Sequence, residues 1–143
     1  MNDLASRMSE QLCGQRCLDF RFVEGGTLIL YFAPYSGEGT SQKRLWIDCA
    51  WRIQVNQMIP IGSIDDSDDV VMTLQLIIGL SLQALSLCEL SGDLRLEFAN
   101  DVVIETFGYS ICCELWEFRR SDGLRLGVGP GFMPFDRLED ADA

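Results

Sequence analysis

The chain has 143 residues, 48% apolar and 23% charged, which is globular rather than disordered composition for one ordinary domain or two very small ones. A chain of this size buries roughly 70% of its unfolded surface, so it needs no disulfide or metal staple. Its 22 acidic and 11 basic residues give a net charge of -11, a field that repels nucleic acid and attracts a basic protein.

The first predicted element is a helix over "NDLASRMSEQLCG". Asn2 or Asp3 can cap it, Leu4, Met8 and Leu12 form one stripe, and Gly14 stops it. Next comes a strand carrying Cys17, Phe20 and Phe22, whose spacing of three and then two predicts a bulge. The turn "VEGG" leads into "GGTLILYFA" (25–33), where Leu28, Leu30 and Phe32 alternate with Ile29 and Tyr31. After the long connection "PYSGEGTSQK" (34–43), "RLWID" (44–48) is a third strand, and "WRI" (51–53) follows it.

The second half repeats this order. "SDDVVMTLQLIIG" has Ser67 as its expected N-cap, early acids at Asp68 and Asp69 that suit the helix dipole, and Gly79 as its stop. Leu82, Leu85 and Leu87 repeat the three-then-two spacing, so a second bulge is expected. "SGDLRLEFA" (91–99) matches 25–33, with Leu94, Leu96 and Phe98 inward against Arg95 and Glu97. A bare "ND" turn then leads to "DVVIE" (101–105), and "WEF" (116–118) matches "WRI" 65 residues earlier. One or two extra strands are expected at "GLRLGVG" (123–129). The pattern predicts an α+β fold: a pseudo-duplicated helix–strand–strand–strand unit with two helices and mostly antiparallel sheet. The expected organisation is a single domain of two repeats, about 1–64 and 65–131, plus a short acidic tail. Their half-sheets should join or pack face to face.

The second half also resembles a known group. In "SGDLRLEFANDVVIETFGYSICCELWEFRRSDGLRLGVGPG" (91–131), Gly92, Leu94, Leu96, Phe98, Ile104, Tyr109, Glu114, Trp116, Glu117, Pro130 and Gly131 fill its pattern. That pattern is roughly G-x-L-x-L-x-F-x-x-G-x-x-L-x-V, a loop with Tyr, E-x-W-E and a terminal Pro-Gly turn. The group consists of small bacterial proteins that look like products of toxin–immunity loci, and "LCGQRCLDFRF" (12–22) resembles it more loosely. Asn100-Asp101 replaces the usual turn glycine, and the Tyr-to-Trp loop carries "SICC". The resemblance implies a small acidic protein that neutralises a partner toxin.

Familiar catalytic constellations are missing. The chain has no histidine, which removes Ser-His-Asp and Cys-His arrangements. It has no G-x-x-x-x-G-K-[ST] loop, and Pro130 and the missing lysine disqualify "GVGPG" (127–131). Cys13, Cys17, Cys49, Cys88, Cys112 and Cys113 form no C-x-x-C pair, so thiols mostly buried as small apolar residues are expected, with no metal and no cofactor. "MNDLASRMSEQL" lacks the character of a signal peptide, and "LQLIIGLSLQAL" (74–85) is too short and polar to span a bilayer. The expectation is a cytoplasmic protein with no membrane partner.

The partner-binding candidates are Asp65, Asp66, Asp68 and Asp69 before and within the second helix, Glu38 on the long loop, and Trp46. "DDSDD" lacks the glycine and distal glutamate of a calcium loop, so it reads as a solvated cap region or a dock for a basic partner. Trp51 and Trp116 occupy equivalent positions and should be core. Trp46 is out of phase with Leu45 and Ile47, so it is either an interface anchor near Tyr31 or Tyr35, or packed on the partly covered outer face. The expected function is non-enzymatic: a cytoplasmic immunity protein that covers a cognate basic toxin, with a nuclease as the leading candidate. The alternatives are a structural or homodimerising subunit, or a small-ligand-binding protein.

Overall fold

The computed structural model describes residues 2–23, 25–33, 42–108 and 115–138. Helix α1 (Asn2–Leu12) is followed by β1 (Arg16–Phe22), β2 (Leu28–Ala33), β3 (Lys43–Ile47), β4 (Ala50–Val55) and the two-residue β5 (Ile61–Gly62). Helix α2 (Ser67–Leu74) tightens into a 3-10 turn at Gln75–Ile77. Then come β6 (Leu82–Leu87), β7 (Leu94–Phe98), β8 (Val102–Phe107), β9 (Trp116–Arg120), β10 (Leu124–Val128) and β11 (Pro134–Leu138). The fold is α+β, with two antiparallel sheets among the described residues.

The bulges fall where the spacing puts them. The β1–β2 register shifts between Cys17 and Asp19, and the β6–β7 register shifts between Leu82 and Ala84. Gly14 and Gly79 end their helical segments at positive φ (88 and 86°), a conformation that costs a glycine little. Asn100 and Asp101 both lie at positive φ, so the "ND" turn has the backbone twist that suits a tight hairpin.

Sheet assembly departs from two joined half-sheets. One sheet runs β1-β2-β3-β9-β10-β11, and the other runs β5-β4-β8-β7-β6. Each half places three strands in one sheet and sends its fourth to the other: β4 pairs with β8, and β9 pairs with β3. The halves also hold each other at their helix ends. Gly14 N–H donates to Leu82 O (2.8 Å) while Gly79 N–H donates to Cys17 O (2.7 Å). Cys17 N–H donates to Leu80 O, Leu82 N–H donates to Gln15 O, and Arg16 bridges Ser81. Every one of these bonds maps onto its counterpart by a shift of 65 residues. Common descent of the two halves stays an expectation of the sequence.

The core lies between the sheets and takes residues from both. Leu28, Leu30, Phe32, Leu45 and Ile47 meet Leu94, Leu96, Phe98, Val102 and Ile104, and the rings of Phe32 and Phe98 stack at 6.4 Å. Leu4, Met8 and Leu12 of α1 and Val70, Leu74 and Ile77 around α2 close it. Burial of such side chains contributes about 1.5–3 kcal/mol each.

Several details differ from expectation. Asp66, not Ser67, caps α2: its Oδ1 accepts from Asp68 N–H at 3.0 Å. The second helix becomes a 3-10 turn after Leu74 instead of continuing to Gly79. Beyond residue 131 the chain is not simply tail, because β11 forms an edge strand that opens on Pro134, a residue that an edge tolerates. Ile29 points away from the core side yet is only 2% exposed. Cys17 is buried and Cys13 and Cys49 are half-buried, but Cys88 is exposed; Cys112 and Cys113 lie outside the described residues.

Candidate functional site

Two surfaces collect the residues that could bind something. The first runs from the end of β4 through β5 to α2. Asp65, Asp66, Asp68 and Asp69 are all exposed there. Two of them also hold local structure: Asp65 Oδ2 accepts from Gly62 N–H at 2.7 Å, and Asp66 is the cap. Asp68 and Asp69 sit in the first turn, where the helix dipole favours them.

Large apolar side chains flank these acids. Ile64 is 94% exposed and Ile59 87%, and Met58 is also exposed. Val70, Leu74 and Ile77 face inward, while Met72 and Leu76, at four-residue spacing from Asp68, face solvent with Ile78 beyond them. Pro60, Ile64, Asp65, Arg52 and Phe107 line a shallow depression of about 410 Å³. The guanidinium of Arg52 lies 4.8 Å from the Phe107 ring centroid. Ile64 and Asp65 therefore share one depression, and Asp68, Met72 and Leu76 share one helical stripe.

The second surface is the outer face of the six-stranded sheet. Residues on adjacent strands there fall into rows. One row is Arg21, Ile29, Trp46, Glu117, Gly127 and Phe135. The next is Asp19, Tyr31, Arg44, Arg119, Arg125 and Arg137. Glu117 is almost fully buried; its Oε2 accepts from Arg119 (3.1 Å), and its Oε1 accepts from Arg125 (3.2 Å) and faces Arg137 at 4.0 Å. Arg119 lies over the Trp46 ring at 4.4 Å, and Arg137 lies over Phe135 at 4.7 Å. Gly127 is a requirement of this layer: a Cβ there would meet Trp116 O at 2.5 Å and Phe135 Cζ at 2.7 Å. Phe135 lies across the place where that side chain would be.

Trp46 is thus half-buried on the outer face beneath Arg119, with its buried indole Nε1 lacking a hydrogen-bond partner. It sits in the six-stranded sheet, whereas the aspartates follow the edge of the five-stranded one, so the structure does not bring Trp46 together with them. Glu38 and Tyr35 lie outside the described residues. Trp51 and Trp116 are core residues. The arginine row escaped the sequence reading because its members come from four strands whose register no local pattern reveals.

Among the described residues no group of three or more Cys, Asp or Glu side chains could hold a metal ion, and no helix is long and apolar enough to cross a membrane. Burial pushes the Cys17 thiol up to about 12 and the Cys49 thiol up to about 11, while hydrogen bonds from Ser91 lower that of Cys88. No family model, curated protein or solved structure matches the chain.

Proposed function

We propose that this is a non-enzymatic binding protein, a cytoplasmic immunity protein whose β5–α2 face covers a cognate basic toxin. The observation that carries the reading is exposed apolar surface beside exposed aspartates: Ile64 lines one depression with Asp65, and Met72 and Leu76 continue the α2 stripe that begins at Asp68. Apolar surface of this kind, rimmed by charge, suits a protein interface: the apolar side chains supply affinity and the acids steer encounter. The resemblance of 91–131 to products of toxin–immunity loci supplies the toxin, and a nuclease, whose phosphate-binding lysines and arginines the carboxylates would occupy, is the first class to test. A symmetric homodimer through the same face would set four aspartates against their own copies, which opposes it.

The test is binding of the toxin encoded beside the gene, by surface plasmon resonance. Asp68→Lys with Asp69→Lys should slow association and flatten its salt dependence, and Ile64→Ser with Met72→Ser should speed dissociation. A toxin that binds the wild type and all four substitutions equally well places its interface elsewhere. A protein that is dimeric at dilution and binds no such toxin supports the homodimerising subunit instead.

A further inference from the structure

We infer that the partner proposed above inserts an aromatic side chain, flanked by a lysine or arginine, into the depression beside β5; this rests on the β5–α2 face being the interface. At a shift of 65 residues the two sheets correspond strand by strand, β1-β2-β3-β9-β10 in one and β6-β7-β8-β4-β5 in the other. The register agrees as well: Glu117↔Gly127 and Phe118↔Leu126 become Arg52↔Gly62 and Ile53↔Ile61. The correspondence ends at the sixth strand. β11 pairs with β10, whereas among the described residues no strand pairs with the far side of β5.

β11 does two things on its own side. It lays the Phe135 ring over Gly127, 2.7 Å from where a Cβ would stand, and its Asp136 pairs with Arg7 of α1. The other half keeps the floor of this arrangement without its cover. A Cβ on Gly62 would meet Trp51 O at 2.7 Å, as one on Gly127 would meet Trp116 O at 2.5 Å. Yet Gly62 lines the open depression of about 410 Å³ where Gly127 has a ring. Met72, which the same shift sets against Arg7, is exposed.

The backbone decides between a strand and a side chain as the occupant. Gly62 N–H donates to Asp65 Oδ2 at 2.7 Å, and Gly62 O accepts from Asp65 N–H at 3.0 Å. Pro60 has no N–H to offer. An added strand would break two hydrogen bonds to make its own, so this edge gains little from one, while the hollow over Gly62 still has room for a side chain.

The walls of the hollow select a ring. Pro60, Ile64 and Phe107 are apolar, and the guanidinium of Arg52, already 4.8 Å from the Phe107 centroid, can stack on a second ring. A flat ring laid over a glycine is the packing that Phe135 and Gly127 show on the other sheet. Charge selects the flanks. Arg52 is paired with Glu105, whereas Asp65 lines the hollow and Asp66 follows it, both exposed. Each gives one oxygen to a backbone N–H, and a carboxylate so engaged keeps acceptor capacity for a cation. The ring is then the buried anchor, and the cations form its rim.

The experiment is an NMR titration of the whole isotope-labelled protein with the capped tripeptide Lys-Phe-Lys, with Lys-Leu-Lys and Glu-Phe-Glu as comparisons. Saturable shifts are expected at Gly62 and Ile64, upfield at the Ile64 methyl groups through the ring current, with both comparison peptides about fivefold weaker or more. Ile64→Ser, at an exposed position, and Phe107→Ser should each weaken Lys-Phe-Lys about fivefold or more, and Leu138→Ser, on β11, should leave it unchanged. No saturable shift at Gly62 and Ile64, equal binding of Lys-Leu-Lys, or full binding by the folded Ile64 variant would overturn the aromatic anchor. Equal binding of Glu-Phe-Glu would overturn its cationic flanks. Loss of amide protection at Gly62 and Asp65 on binding would put a strand in place of the side chain and overturn the proposal. The neighbouring toxin separates this inference from the reading beneath it. A toxin that Asp68→Lys with Asp69→Lys slows, but that leaves the Gly62 and Ile64 signals in place, overturns the anchor and keeps the interface. A toxin that does not bind at all overturns the interface reading itself.

Discussion

The indole N–H of Trp116 donates to the carbonyl of Gly92 at 2.8 Å, tying a strand of one sheet to a turn of the other. Its counterpart, Trp51, donates to Gly26 at 2.7 Å in the opposite sense. In each half the fourth strand leaves its sister strands for the other sheet, and its tryptophan reaches back to the hairpin turn of its own half. Trp116→Phe and Trp51→Phe should therefore each cost about 1–3 kcal/mol, because a buried carbonyl loses its donor while most of the ring volume stays. Urea unfolding would measure this, and a loss at one position only would show that the two staples are not equivalent.

Leu30 and Leu96 are both fully buried at equivalent places, so truncation of either to Ala should cost about 2–5 kcal/mol. Arg95, exposed and paired with exposed or half-buried Glu97 and Glu105, should lose less than about 1 kcal/mol on truncation. Ile29 belongs with the leucines, because it is itself almost fully buried although it lies on the outer face. Thermal unfolding of Ile29→Ala with a loss as small as that of Arg95→Ala would contradict that burial.

Strand alternation, both bulges, both glycine stops and the core tryptophans were legible because each is a local pattern. The exchange of the fourth strands was not, since pairing of β3 with β9 or of β4 with β8 leaves no mark within either segment. β5 is two residues long, and β11 has neighbours on one side only and little burial, so neither carries a clear alternation signal. Of the candidate site, the aspartates were visible as a run. Their apolar neighbours leave no such mark, because exposure of Ile59 or Met72 depends on which face packs inward.

Asp66 should separate stability from binding. Asp66→Ala removes the α2 cap and should cost about 0.5–2 kcal/mol, whereas Asp69→Asn, which accepts no cap hydrogen bond, should cost only a few tenths. Reversal of Asp65 and Asp66 to Lys is thus a poor binding test on its own, since both carboxylates satisfy backbone N–H groups. Denaturation midpoints of the single variants would check the split. An unchanged midpoint for Asp66→Ala would mean that water replaces the cap at no cost.

The thiols set an alkaline limit. Folding raises Cys17 from 9.0 to about 12 and Cys49 from 9.0 to about 11, both chiefly through burial. The unfolded chain then releases protons first, so this stability is complete below pH 9 and is lost as pH rises toward 11–12. Urea midpoints should fall across that window, and Cys17→Ala should flatten the fall. At pH 8, iodoacetamide followed by peptide mapping should find Cys88 labelled in the folded protein and Cys17 and Cys49 protected. Rapid labelling of Cys17 under native conditions would contradict its burial.

The strand exchange also bears on how the chain is made. During synthesis the N-terminal half leaves the ribosome first, with β3 and β4 each lacking a neighbour that β9 and β8 provide only later. Until then the nascent chain exposes open strand edges, the kind of surface that recruits chaperones or pairs with another copy. Closure must wait for contacts between residues about 47–77 apart in sequence, such as Ile47 with Trp116 and Ile53 with Ile104, which slows folding relative to a chain of local hairpins. Cutting the chain between β5 and α2 would yield two fragments that complete each other's sheets, so the molecule behaves as a tethered dimer of halves, with residues 63–66 as the tether.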